Sequence, residues 1–248
     1  MSHPRHLRKA PIIEALFDFR VKTRVGFRGE DFAPLQSQLA DRFPKMEERR
    51  GLQATFAVLE GKSHPPVVQD LGLQGYFFKA ADEKTIAQFR VDGFTVNRLH
   101  PYTSWGELFP LVLELWRLYA ATARPEVVTR LGLRYINRIP LAAGPVELET
   151  YLRAAPTIPP ELPQDFSSFL TRVAIHDNAK ALAAHITQAS EANASGGERT
   201  ILLDIDTFKA SELALADPAI EETFNQLRDF KNLIFFNSLT EEIVRQLE

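Results

Sequence analysis

Residues 128–141, VTRLGLRYINRIPL, alternate so regularly that they leave few folds open. Arg130, Arg134 and Arg138 fall at even spacing and leave one face of a strand. Leu131, Leu133, Tyr135 and Ile139 leave the other. A strand that is polar on one side and apolar on the other belongs to an antiparallel sheet with one covered face. Residues 11–21, PIIEALFDFRV, repeat the pattern: Ile13, Ala15, Phe17, Phe19 and Val21 share one face, while Ile12, Glu14, Leu16, Asp18 and Arg20 share the other.

The rest of the chain fits around these two strands. Residues 30–44 read as a helix, with Phe32, Leu35, Leu39 and Phe43 at helical spacing. Strands are expected at 53–59, 74–80 and 85–99. The last contains Asp92-Gly93 between apolar flanks, a strong hairpin signal. A two-residue turn there pairs Val91 with Phe94 and Phe89 with Val96 on one face, and Arg90 with Thr95 and Gln88 with Asn97 on the other. A long helix over 105–123 opens on the capping pattern Ser104–Glu107 and closes at Arg124-Pro125. After the strand at 128–141 come a short helix at 146–154 and strands at 167–177, 180–188 and 199–208. A helix follows from Asp217-Pro218, with Asp217 as its cap, to the region of Phe236, and a last helix starts from Thr240. The Pro-rich stretches 63–67 and 156–163 and the Gly/Ser-rich stretch 189–198 read as loops.

Each half therefore runs strand, helix, several strands, long helix. The expected fold is α+β: a duplicated β-α-β(n)-α unit, residues 1–124 and 125–248, forming one antiparallel sheet in one structural domain. The two opening strands lie centrally and both long helices cover one face. At fold level this is similar to the saddle of TATA-binding-protein-like and helix-grip folds. Aligning 15–21 with 133–139 sets apolar on apolar at most helix-facing positions, and Asn137 opposite Phe19 is the exception. The expected core includes Phe17, Phe89, Val96, Leu115, Trp116, Leu133, Tyr135 and Phe224.

Composition bounds the function classes. The chain has no cysteine, which excludes disulfides, thiolate metal sites and a cysteine nucleophile. The net charge is −3, so nucleic acid is not the expected partner. No apolar run reaches the length of a membrane span and no secretory signal opens the chain, so the cytoplasm is the expected location. The patterns GxxxxGK[ST], GxGxxG, GxSxG and HExxH are absent. No cofactor is expected.

Four segments, APIIEALFDF (10–19), RLHPYTSW (98–105), RLGLRYINRI (130–139) and LDIDTF (203–208), together resemble a sporadically distributed, uncharacterised bacterial protein family of about this length. PYTSW and RYINRI are the most specific blocks. The resemblance implies a cytosolic bacterial protein and carries no activity. Sporadic distribution implies mobile genes, hence a defence or toxin–antitoxin setting.

The leading candidate site is the arginine row. Guanidinium forks suit carboxylate and phosphate, so Arg130, Arg134 and Arg138, extended by Arg90 and Asn97 with Gln88 and Thr95, form a candidate floor for an anionic ligand or an acidic partner. The competing reading is a cross-strand ion-pair ladder with Glu14 and Asp18. Asp204 and Asp206, two apart on a strand, are weak metal candidates, and the favoured reading of the pair is salt bridging to the arginines. In 100–105 Ser104 caps while Tyr102 and Trp105 staple the helix start; His100 and His176 are lone histidines. His3, Arg5, His6, Arg8 and Lys9 form a solvated basic tail. The expectation is a non-catalytic binding or adaptor protein that holds a partner on the arginine-lined sheet face or on a helix face and can form a homodimer, and the alternative is a sensor or enzyme for a small anion on the arginine face.

Overall fold

The structure is a computed structural model that describes residues 7–55, 58–59, 62–63, 67–142, 146–164, 167–191 and 199–248. The chain runs β1 (Ile12–Lys22), a 3-10 turn (Gly29–Phe32), α1 (Leu35–Leu39) and β2 (Lys45–Thr55). It continues through β3 (Val58–Leu59), β4 (Lys62–Ser63), β5 (Val67–Lys79), β6 (Thr85–Arg90), β7 (Gly93–Leu99) and α2 (Trp105–Ala123). Then follow β8 (Val127–Pro140), a 3-10 turn (Leu148–Thr150), β9 (Leu170–Asp177), β10 (Leu182–Glu191), β11 (Thr200–Lys209), α3 (Asp217–Ser238) and α4 (Glu241–Leu247).

Nine strands form one antiparallel sheet in the order β2-β5-β6-β7-β1-β8-β11-β10-β9, and β3 and β4 form a separate small ribbon. β1 and β8 are neighbours at the middle, paired from Ile12↔Asn137 to Lys22↔Val127. Alternation decides which side is covered. Ala15, Phe17, Phe19 and Val21 of β1 and Leu131, Leu133, Tyr135 and Ile139 of β8 are buried on one face. Both long helices pack there. Trp116 of α2 stacks on Phe19 with ring centroids 4.5 Å apart, and Phe224 of α3 lies 5.4 Å from Phe17 and 5.1 Å from Phe19. All eight residues expected in the core are buried. Each large apolar side chain so removed from water contributes roughly 1.5–3 kcal/mol.

Several local expectations are corrected. The segment read as a helix over 30–44 is a 3-10 turn and the five-residue α1, separated by Pro34, which lacks the N–H a continuous helix needs. Its Phe32, Leu35, Leu39 and Phe43 are buried all the same. Residues 146–154 hold only a 3-10 turn, because the following backbone bonds sideways to the end of α3: Arg153 N–H to Ser238 O, and Thr240 N–H to Tyr151 O. β2 begins at Lys45, and its leading residues 45–48 are exposed; a charged edge strand shows no apolar alternation. β5 begins at Val67 rather than 74. α3 is preceded by Ala216, so Asp217 is inside the helix, where it accepts from Arg117 Nε at 2.7 Å.

The hairpin register also differs. Arg90 pairs with Gly93, Phe89 with Phe94 and Gln88 with Thr95, so Val91-Asp92 form the turn. Gly93 belongs to the strand because a Cβ there would lie 2.1 Å from Phe19 O of β1. The slip is by two positions in the pairing and preserves the faces: Gln88, Arg90, Thr95 and Asn97 still point away from the helices. His3, Arg5 and His6 of the basic tail, and most of 189–198, lie outside the described residues. Arg8 and Lys9 meet the C-terminus, with Arg8 Nε donating to Glu248 O at 2.5 Å and Lys9 N–H to Leu247 O at 3.0 Å.

Candidate functional site

The expected arginine face exists, and its charges are spoken for. Arg130 of β8 reaches across to Asp18 of β1 at 3.2 Å and to Asp206 of β11 at 3.0 Å, with its guanidinium 4.5 Å over the Phe208 ring. Arg134 grips Asp204 with two bonds, Nε at 2.8 Å and Nη2 at 2.6 Å. Arg90 bonds Asp18 at 3.1 Å, Asp92 at 3.1 Å and Thr95 Oγ1 at 2.9 Å. Arg20 joins the same two aspartates, at 3.1 Å to Asp18 and 2.7 Å to Asp92. Four arginines meet four aspartates. Asp204 and Asp206 are consumed as arginine partners, and among the described residues no three His, Asp or Glu side chains are grouped to hold a metal ion.

The floor is less open than expected. Arg90 is only 5% exposed and Asn97 8%. A cavity of about 390 Å³ lies over it, lined by Arg20, Arg90, Arg130 and Arg134 with Asp18 and Asp206. Gly132 makes room for Arg130, since a Cβ there would lie 2.4 Å from its guanidinium. Asn97 and Arg138 are not part of the lining: Asn97 donates to Glu14 at 2.6 Å and accepts from Gln88 at 2.8 Å, and Arg138 stands further along β8, exposed. Burial works against ionising Asp18, but Arg90, Thr95 and Arg20 outweigh it and hold the carboxyl below its ordinary range. For Asp206 burial prevails over Arg130 and Arg134, and its pKa is raised.

A second cavity lies on the helix side of the same two central strands, about 260 Å³ in volume. Four segments build it. The approach to β1 brings Pro11, and the turn before α2 brings Tyr102 to Ser104. β8 brings Tyr135 and Asn137, and α3 brings Arg228, Lys231 and Asn232. Residues 228, 231, 232 and 235 share one helix face through their spacing of three, four and seven. Ser104 starts α2 by accepting the Glu107 N–H at 3.2 Å, which fixes Trp105 against Phe109, ring centroids 4.5 Å apart. Arg228 lies 4.9 Å over the Trp105 ring, and Lys231 Nζ lies 4.2 Å over the Tyr135 ring. The Tyr135 and Tyr102 hydroxyls share a hydrogen bond of 2.9 Å. Asn137 is 1% exposed and donates to Leu203 O at 3.0 Å.

Among the described residues no carboxylate lines this cavity, and neither Arg228 nor Lys231 forms an ion pair. Lys231 donates to Asn232 Oδ1 at 2.5 Å. Burial, helped by Arg228, pulls its pKa down to about 7. Burial raises the pKa of Tyr102, and burial with the Tyr102 hydroxyl beside it raises that of Tyr135. The site thus sets one permanent cation, one titratable amine and a linked hydroxyl pair around a small space. Two of its residues, Tyr102 and Trp105, were read as staples; Trp105 does pack on Phe17 at 5.3 Å as well as lining the cavity. Arg228 and Lys231 were missed. The signal for Lys231 was its place four after Leu227 and seven after Phe224, on the apolar stripe of its helix. His100 hydrogen-bonds through its backbone N–H to Ile13 O at 2.9 Å and lies outside the lining.

Compared with protein-family models, with curated proteins and with solved structures, the chain matches none of them. No helix among the described residues is long and apolar enough to cross a membrane.

Proposed function

We propose that this chain is a binding protein for a small anionic ligand, held in the cavity between Arg228 and Lys231 rather than on the arginine row. One observation carries the reading: two cations share a small cavity with no carboxylate among its described lining residues. Placing two positive groups in such a space is unfavourable unless something negative joins them. The aromatic faces of Trp105 and Tyr135 offset part of that cost, and a bound carboxylate or phosphate would offset the rest. Among the described residues no arrangement of nucleophile and base supports a reaction on the arginine face, so we read the protein as a sensor or carrier.

A thermal-shift and calorimetric panel of acetate, propionate, succinate and phosphate tests this. At least one anion binds the full chain, and Arg228→Met weakens it by about tenfold or more, the scale of one charge-assisted pair. Absence of binding across the panel, or equal binding by the variant, would overturn the reading.

A second reading, an acidic partner on the arginine floor, is favoured by Arg49 of β2. This cation is held below its usual pKa by burial and by nearby Arg90 and Arg20, and it adds positive charge beside a ladder that is otherwise balanced. The strand order also supports a duplication. Counting outward from the central pair, β1-β7-β6-β5 mirrors β8-β11-β10-β9, with β2 as an extra edge. We read the halves 1–124 and 125–248 as two copies of one β-α-β(n)-α unit forming a saddle of the TATA-binding-protein or helix-grip type.

A further inference from the structure

We infer that the ligand of this cavity carries a carbonyl beside its anionic group, as a small 2-oxo acid does, and that Lys231 captures it as an imine. The inference rests on the small-anion reading above and names the ligand class.

The two cations are not equivalent. Arg228 cannot lose its proton and presents a planar fork suited to a carboxylate. Lys231 sits one turn further along the same helix face, with Asn232 Oδ1 as its acceptor and no carboxylate in the lining to keep it an ammonium. The charged or titratable groups facing it are Tyr135 of β8, Tyr102 of the turn before α2, and Arg228 of its own helix. A desolvated lysine beside a second cation is an amine nucleophile at neutral pH. With its pKa near 7, about half of Lys231 is in that form under such conditions. A lysine meant only to hold an anion would need to keep its proton.

The step balances without an oxidant or reductant. The Lys231 lone pair forms a C–N bond to the carbonyl carbon, and the C=O π electrons move to oxygen. That oxygen takes a proton from the Tyr102–Tyr135 pair, which regains one from the new nitrogen. The hydroxyl then receives the nitrogen's remaining proton through the same pair and leaves as water while the nitrogen lone pair forms C=N, so one oxo acid and one amine give one imine and one water. The cavity of about 260 Å³ has room for a small oxo acid, with the carboxylate on Arg228 and the carbonyl toward Nζ.

The test is borohydride trapping of the full chain with pyruvate, 2-oxobutyrate or 2-oxoglutarate, read by intact-mass and peptide mass spectrometry. The expected product is a single adduct that adds the mass of the oxo acid less one oxygen, on the peptide containing Lys231. It is absent in Lys231→Arg, which keeps the charge but not the amine, and in Lys231→Met as a second variant. Labelling rises through about pH 7 rather than at the ordinary lysine value near 10.5. Arg228→Met needs about tenfold more oxo acid. No adduct on Lys231 with any of the three acids overturns the imine, and so does equal labelling of other lysines in Lys231→Arg. If propionate or phosphate still binds in an Arg228-dependent way, the small-anion reading survives that result; if no anion binds, both fall.

Discussion

The spaces on the two sides of β8 hold the same kind of charge and use it oppositely. Arg134 and Tyr135 are consecutive, so one points to the polar floor and the other to the helix-side cavity. On the floor every lining arginine has an aspartate, and the network closes on itself. In the cavity Arg228 and Lys231 have aromatic faces and an amide, but no counter-charge. A count of cations points to the floor, and a count of unbalanced cations points to the cavity. The arginine row has the partners of a cross-strand ladder, and the proposed function rests on residues that a charge scan of the sequence passes over.

The largest effect that can break this comparison is at Asp18. Its carboxylate holds Arg90, Arg130 and Arg20 together, and Arg90 is nearly buried. Asp18→Asn leaves those guanidinium groups short of charge and costs about 3–5 kcal/mol, the scale for breaking a buried pair. The pH dependence fixes the cause. The folded carboxyl titrates below its unfolded value of 3.8, so its stabilisation is complete above that value and is lost as pH falls through the lower folded pKa. Melting curves of the two proteins should stay apart at pH 5–7 and converge only in stronger acid. A difference near zero at pH 7 would mean the floor is not a structural network.

How much of this was legible follows from which contacts are local. The alternation of β1 and β8 fixed their faces, and with them Phe17, Phe19, Leu133 and Tyr135 in the core. Closure of the ladder was not legible, because it depends on register and on diagonal reach. Arg134 stands opposite Asp206 on β11, yet its guanidinium takes Asp204. The turn lies at Val91-Asp92 because Gly93 pairs with Arg20 of β1, at a close approach to Phe19 O that only a residue without a Cβ allows and that local turn preference does not reveal. The cavity was hardest, since Pro11, Tyr102, Tyr135 and Lys231 meet only when four distant segments pack. The sequence did hold two anomalies there: Asn137 in an apolar alternation and Lys231 on an apolar helix stripe.

The second prediction runs in the opposite direction to the first. An unpaired lysine whose folded pKa lies near 7, against 10.5 unfolded, destabilises the fold whenever it is charged. The penalty is full below about 7, falls as pH rises from 7 to 10.5, and is absent above. Replacing it with a methionine of similar length removes the penalty, so Lys231→Met stabilises the ligand-free protein by about 1–4 kcal/mol at pH 6. The gain should shrink steadily toward pH 10. A variant that is less stable at every pH would show that Lys231 is a packing residue and would remove the contrast with Asp18.

The smallest effect is expected at Arg134, the residue that most attracts attention in the sequence. Its side chain is 44% exposed and its partner Asp204 is 20% exposed. The Asp204 bond holds its pKa above the ordinary arginine value, but solvent screens such a pair, and exposed pairs contribute about 0–1 kcal/mol. Arg134→Gln should therefore leave the melting temperature nearly unchanged and leave binding of a small anion unchanged as well. It sharpens the second reading of the floor. If an acidic segment docks there, it must compete with Asp204 for this accessible guanidinium, and a poly-glutamate peptide titrated onto the full chain should bind in low salt and bind more weakly to Arg134→Gln. Equal peptide affinity for the two proteins, or none for either, would leave the arginine row as a ladder alone, with ligand binding confined to the opposite face of the strand that carries it.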